Sequence, residues 1–77
     1  MPTATYQEFR VVLQRAGFRL VRTKKHETWG KTLPTREVLR VRLSHQTARD
    51  IRTPLFHQLL RQARLSQAEF FELLRKA

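Results

Sequence analysis

Apolar side chains near the start of the chain recur every three or four positions. Tyr6, Phe9, Val12, Leu13 and Ala16 fall on one face of a predicted helix. Thr5 and Glu8 form a capping-box pattern at its start, and Gly17 stops it. Residues 1–4 before it read as a frayed start. The period then changes. Residues 18–23, rich in Phe, Leu, Val and Thr, read as a strand, and 26–31 as a second. Residues 32–36 make a turn. Val38–Leu43 is the clearest strand, with Leu39, Val41 and Leu43 alternating against Val38, Arg40 and Arg42. Residues 44–52 form a polar loop. Thr53 as N-cap and Pro54 at the first helical position open a second helix, whose buried face is Leu55, Phe56, Leu59, Leu60 and Ala63. Arg64, Leu65 and Ser66 break it. Ser66 and Glu69 form a second capping box, before a short helix carrying Phe70, Phe71, Leu73 and Leu74.

This order predicts an α+β domain. A three-stranded antiparallel sheet is covered by helices on one face, as α-β-β-β-α with an extra short C-terminal helix. Such a sheet leaves its other face open. If Trp29 points inward with Leu39, Val41 and Leu43, then His26, Thr28, Arg40 and Arg42 point outward, provided the second strand has no bulge.

Charge changes the picture most. Among 77 residues, sixteen Lys and Arg stand against six Asp and Glu, for a net charge of +10. A chain this basic meets nucleic acid, an anionic membrane or an acidic protein. Twelve of the sixteen cations are arginine, whose planar fork suits phosphate and base edges. Length allows one domain over 1–77. There is no cysteine, hence no disulfide and no thiolate metal site. No apolar run reaches membrane-spanning length and no signal-peptide pattern opens the chain, so the expected setting is cytoplasmic.

His26 is the leading chemical candidate. It lies in Thr23-Lys24-Lys25-His26-Glu27-Thr28-Trp29, within the most basic stretch. Histidine is the side chain suited to take and give protons near neutral pH, and cationic neighbours suit a polyanionic substrate. His45, after the third strand, is a possible second titrating group. His57 borders the apolar face of the second helix and reads as packing. The three histidines lack metal-ligand spacing, so no metal and no cofactor is expected. Trp29 reads as core, with base stacking as the alternative.

These residues also carry a family resemblance. Ala16-Gly17-Phe18-Arg19-Leu20-Val21-Arg22-Thr23-Lys24 resembles the "AGF-x-x-x-R-x-K" opening of the HicA, or YcfA-like, toxin family. Lys25 to Trp29 falls on its "G-S-H-x-x-[aromatic]" element, and Val41 to His45 on its "V-x-V-P-x-H" element. Leu59 to Ser66 matches its "I-L-R-Q-A-G-L-S" run. Three departures stand out: Lys24-Lys25 replaces Gly-Ser, the proline before the later histidine is absent, and Arg64 replaces a glycine.

The resemblance implies a fold like a double-stranded-RNA-binding domain. It implies a metal-independent endoribonuclease that cuts mRNA in a toxin–antitoxin pair, inhibiting translation, and a HicB-like antitoxin as protein partner. It implies that His26 is catalytic. The basic residues expected to contact RNA are Arg22, Lys24, Lys25, Arg40, Arg42 and Arg49. Two other readings use the same residues. One is a non-catalytic binder of double-stranded RNA, which reads shape through phosphates and 2′-hydroxyls. The other is a helix-turn-helix DNA binder built on residues 54–63 and 67–76, disfavoured because the second of these helices carries Glu69 and Glu72 and few cations.

Overall fold

Two capping boxes and an alternating strand set the frame of the computed structural model, which describes residues 3–46 and 48–76. The elements run α1 (Tyr6–Arg15), β1 (Arg19–Arg22), β2 (Glu27–Thr32), β3 (Val38–Leu43), α2 (Thr53–Ala63) and α3 (Gln67–Arg75). The strands form one antiparallel sheet in the order β1-β2-β3. Thr5 and Ser66 each accept the backbone N–H of a glutamate three residues on, and that glutamate accepts the cap's own N–H in return. Both boxes satisfy donors that a helix start leaves open.

The inner sheet face packs on the helices. Trp29, Leu39, Val41 and Leu43 are buried with Phe9, Leu13, Leu59 and Leu60. One aromatic cluster joins the three helices: Phe9, Phe56 and Phe70 are fully buried, with ring centroids 5.0 to 6.0 Å apart. Such pairs add about 0.5–1.5 kcal/mol each beyond area burial. Trp29 is therefore core, at 4% exposure, and is not open for base stacking. His57 is half-buried against Phe56, with its ring centroid 6.0 Å away.

Four expectations shift. Residues 3 and 4 are tied down: Thr3 Oγ1 donates to the Ile51 carbonyl at 2.6 Å, the Ile51 N–H donates to the Ala4 carbonyl, and Ala4 is buried. The remainder of the expected frayed start, residues 1 and 2, lies outside the described residues, as does Thr47 of the polar loop. The N-cap of α2 is Arg52, without a side-chain cap, and Thr53 is already helical. β2 begins at Glu27, so His26 precedes it. The irregularity sits in β1, between Leu20 and Arg22, leaving β2 paired residue for residue with β3 from Glu27–Leu43 to Thr32–Val38.

The glycine-less end of α2 shows how the chain manages without the residue usual there. Arg64 takes the left-handed conformation, φ 55°, ψ 41°, and its guanidinium pairs with both carboxylate oxygens of Glu37 in the β2–β3 turn. A left-handed non-glycine residue costs about 1–2 kcal/mol, while an exposed ion pair returns at most about 1 kcal/mol. Arg64→Gly should therefore match or exceed the wild type in denaturant midpoint, whereas Arg64→Ala, which keeps the strain and loses the pair, should fall below Arg64→Gly by about 1 kcal/mol. Urea titration of the three proteins checks the order.

Candidate nucleic-acid interface

The open sheet face is built by parity. With Trp29 paired to Val41 and directed inward, Thr28 opposite Arg42 and Gly30 opposite Arg40 are outward positions. β1 adds Arg22, paired to Thr28. Residues 23–26 bend over the β1–β2 end and contribute Lys24, Lys25 and His26. A concavity of about 510 Å³ results, lined by His26, Thr28 and five cations: Arg22, Lys24, Lys25, Arg40 and Arg42. His26 is exposed there. Of the residues expected to contact RNA, Arg49 is the one set apart, in a separate depression with Asp50 and Arg52.

No carboxylate lines this concavity. Glu8 and Glu69 cap helices, Glu37 pairs with Arg64, and Glu72 pairs with Arg75. Glu27 points inward with the parity of Trp29. The chain thus spends its acids elsewhere, and the clustered positive charge is left for an external anion.

His45 does not line the concavity; it sits behind the turn that forms it. Its Nε2 lies 2.8 Å from the Lys24 carbonyl, which can only accept, so Nε2 carries the proton. Its Nδ1 is 3.7 Å from Glu27 Oε2, an ion pair when the ring is protonated. The other carboxylate oxygen, Oε1, accepts from Arg10 Nε at 2.8 Å and from Trp29 Nε1 at 3.1 Å. Arg10, 7% exposed, also donates to the Ser44 carbonyl at 2.8 Å. Burial pulls the Glu27 carboxyl upward, but hydrogen bonds from Arg10 and Trp29 and the charges of Arg10 and His45 outweigh it, holding it below the ordinary glutamate value.

Arg10 and Glu27 are the site residues that motif reading passes over. Their signal is present in the pattern: Arg10 is one turn from Tyr6 on the apolar face of α1, and Glu27 shares Trp29's inward parity. Two charges at apolar positions of facing elements are a pair in waiting.

Among the described residues, no group of three His, Asp or Glu side chains could hold a metal ion, and no helix is long and apolar enough to cross a membrane. The chain matches no protein-family model, no curated protein and no solved structure.

Two outcomes follow from the network. Because the folded Glu27 value is lowered, its stabilisation is complete above the unfolded value of about 4.3 and is lost as pH falls from there through the folded value. Glu27→Gln should be less stable at pH 7 by roughly 1–3 kcal/mol, the cost of a poorly satisfied buried charge, and should show a flatter midpoint between pH 5 and 3 in denaturation series. At His45, Gln places a donor where Nε2 stands, and Asn only where Nδ1 stands. Backbone order parameters of Lys24 to His26 should stay near wild type in His45→Gln and drop in His45→Asn and His45→Ala, toward the flexible range below about 0.6. Equal order in all four proteins would separate the turn from His45.

Proposed function

We propose that this protein is a metal-independent endoribonuclease that binds RNA on its open sheet face and cuts it with His26, acting on mRNA as a toxin of a toxin–antitoxin pair. The observation that carries the reading is the concavity in which His26 is the sole imidazole among five cations. The resemblance of the sequence to HicA toxins supports the reading, and the α-β-β-β-α order is compatible with their double-stranded-RNA-binding-domain-like fold.

The chemistry is in-line transfer at phosphorus. His26 takes the proton of a ribose 2′-hydroxyl as that oxygen bonds to the adjacent phosphorus. The bond to the 5′-oxygen breaks, and that oxygen leaves with a proton. Arg22, Arg40 and Arg42 surround the region where charge accumulates on the non-bridging oxygens, and preformed cations there stabilise the transition state more than the ground state. With His45 committed to the Lys24 carbonyl, the second proton transfer falls to an ammonium of Lys24 or Lys25 or to water.

The carboxylate-free face also suits an antitoxin of HicB type whose acids cover it and exclude RNA; charge complementarity makes such an association fast and salt-sensitive. A helix-turn-helix reading draws no support from the geometry, since the cationic concavity is on the sheet and not on α3.

His26→Ala and His26→Gln should both lose cleavage of a synthetic RNA by about 10²- to 10⁴-fold, with the circular dichroism of the wild type. A single 2′-deoxy substitution at the cut should protect the strand, and chelators should not. The folded His26→Ala protein should still bind RNA. With about four phosphates contacted, log K falls against log salt with a slope near −3, at about −0.7 per phosphate. Joint replacement of Arg40 and Arg42 should flatten that slope. Wild-type cleavage by His26→Ala would remove the catalytic assignment, and salt-independent binding would remove the phosphate contacts.

A further inference from the structure

On the other flank of His26 lies a second depression, of about 410 Å³. His26 and Arg42 line both hollows, but the character of the lining changes between them. Leu55, 37% exposed, supplies apolar surface here. Gln58 and Gln62 of α2 add two amides, four residues apart and so on one helix face. No other charged side chain lines it. Gln62 Oε1 is buried and has no hydrogen-bond partner among the described residues. A buried acceptor left unpaired is costly, so the Gln62 amide gains a partner by turning toward a ligand in the groove.

We infer that this groove holds the nucleobase next to the phosphate at His26, and that Gln58 and Gln62 read its edge. The inference rests on the RNA reading of the site and deepens it. A nucleotide has two unlike parts. Its phosphate needs cations, which the first hollow provides. Its base has an apolar face and a polar edge of donors and acceptors, which the second hollow matches with Leu55 and the two amides. A glutamine amide presents one donor side and one acceptor side, and can pair in two-point fashion with a base edge. No described hydrogen bond holds the Gln62 amide, so it is free to turn its donor or its acceptor to the ligand. His26 and Arg42, common to both hollows, mark the junction where phosphate gives way to nucleoside. Sequence preference at the cut then arises from neutral α2 residues, and general affinity from the cations of the sheet.

The test uses the wild-type protein and hexamers with 2′-O-methyl riboses, which lack the nucleophile and survive. One set carries bases and the other is abasic. The side-chain amide resonances of Gln58 and Gln62 should shift with the base-bearing hexamers and stay still with the abasic one. Affinity should fall about tenfold or more without bases. In the Gln58→Ala, Gln62→Met double variant, discrimination among homopolymeric hexamers should shrink to within about twofold, and base preference flanking the cut should flatten on unmodified RNA. If both hexamers bind equally and the glutamine amides do not respond, the base subsite is overturned while RNA binding stands. The groove would then be free for a side chain of a protein partner. If neither hexamer binds, the RNA reading itself fails and takes the subsite with it. If base-bearing hexamers bind as expected but unmodified RNA is not cut, the subsite stands and the ribonuclease reading falls.

Discussion

The Glu27 carboxylate gathers the parts of the molecule that the open face depends on. It begins β2, receives Arg10 from α1 and the indole N–H of Trp29, and faces His45 from beyond β3. Arg10 extends the same network to the Ser44 carbonyl, and His45 extends it to Lys24. A charge so placed has to be fully matched, because a half-dry carboxylate with one partner missing costs more than the pair contributes. Matching it fixes the register of the β2 start, the exit of β3 and the turn at residues 23–26 together. The side chains of that turn, His26 included, are exposed and make no described hydrogen bond of their own. Their backbone is held from behind.

The rest of the fold rests on short-range signals that agree with one another. Two capping boxes, a strand of strict alternation and a proline at a helix start each specify their element independently. The aromatic cluster of Phe9, Phe56 and Phe70 then ties three helices that local signals alone would leave unplaced. With so much of the core on the inner face, the outer face is free to be cationic. Its self-repulsion is moderated by solvent, since neighbouring charges at an exposed surface interact through high dielectric.

The strand pattern made much of this legible. Alternation in Val38–Leu43 placed Arg40 and Arg42 outward and, with Trp29, predicted the face on which Arg22, Lys24, Lys25 and His26 now meet. What alternation could not give was the geometry at ends. His26 is off the strand, so parity has no hold on it, and its place comes from a turn whose anchor, His45, is nineteen positions away in sequence. The bulge in β1 was equally out of reach, and for Arg64 the missing glycine marked the left-handed end of α2 without naming what holds it. The first depends on pairing with β2, and the second on a partner, Glu37, in a different turn. Arg49, singled out by charge, is carried by the loop after β3 to a different depression, a placement that charge alone does not give.

This division has a consequence for how stability and the site are coupled. A face built from strands alone would keep its geometry until the sheet melted. Here the histidine rides on a turn bound through His45 to the same carboxylate that closes the α1–β2 contact. Protonating Glu27 removes the attraction to Arg10 and to His45 in one step, so the loss of fold stability and the loosening of the turn share a cause. The strand cations Arg22, Arg40 and Arg42 are held by the sheet ladder as well. On the proposed ribonuclease reading, affinity for RNA, which needs charge more than exact placement, then outlasts the placement of His26, and cleavage, which tolerates little misplacement, is lost first.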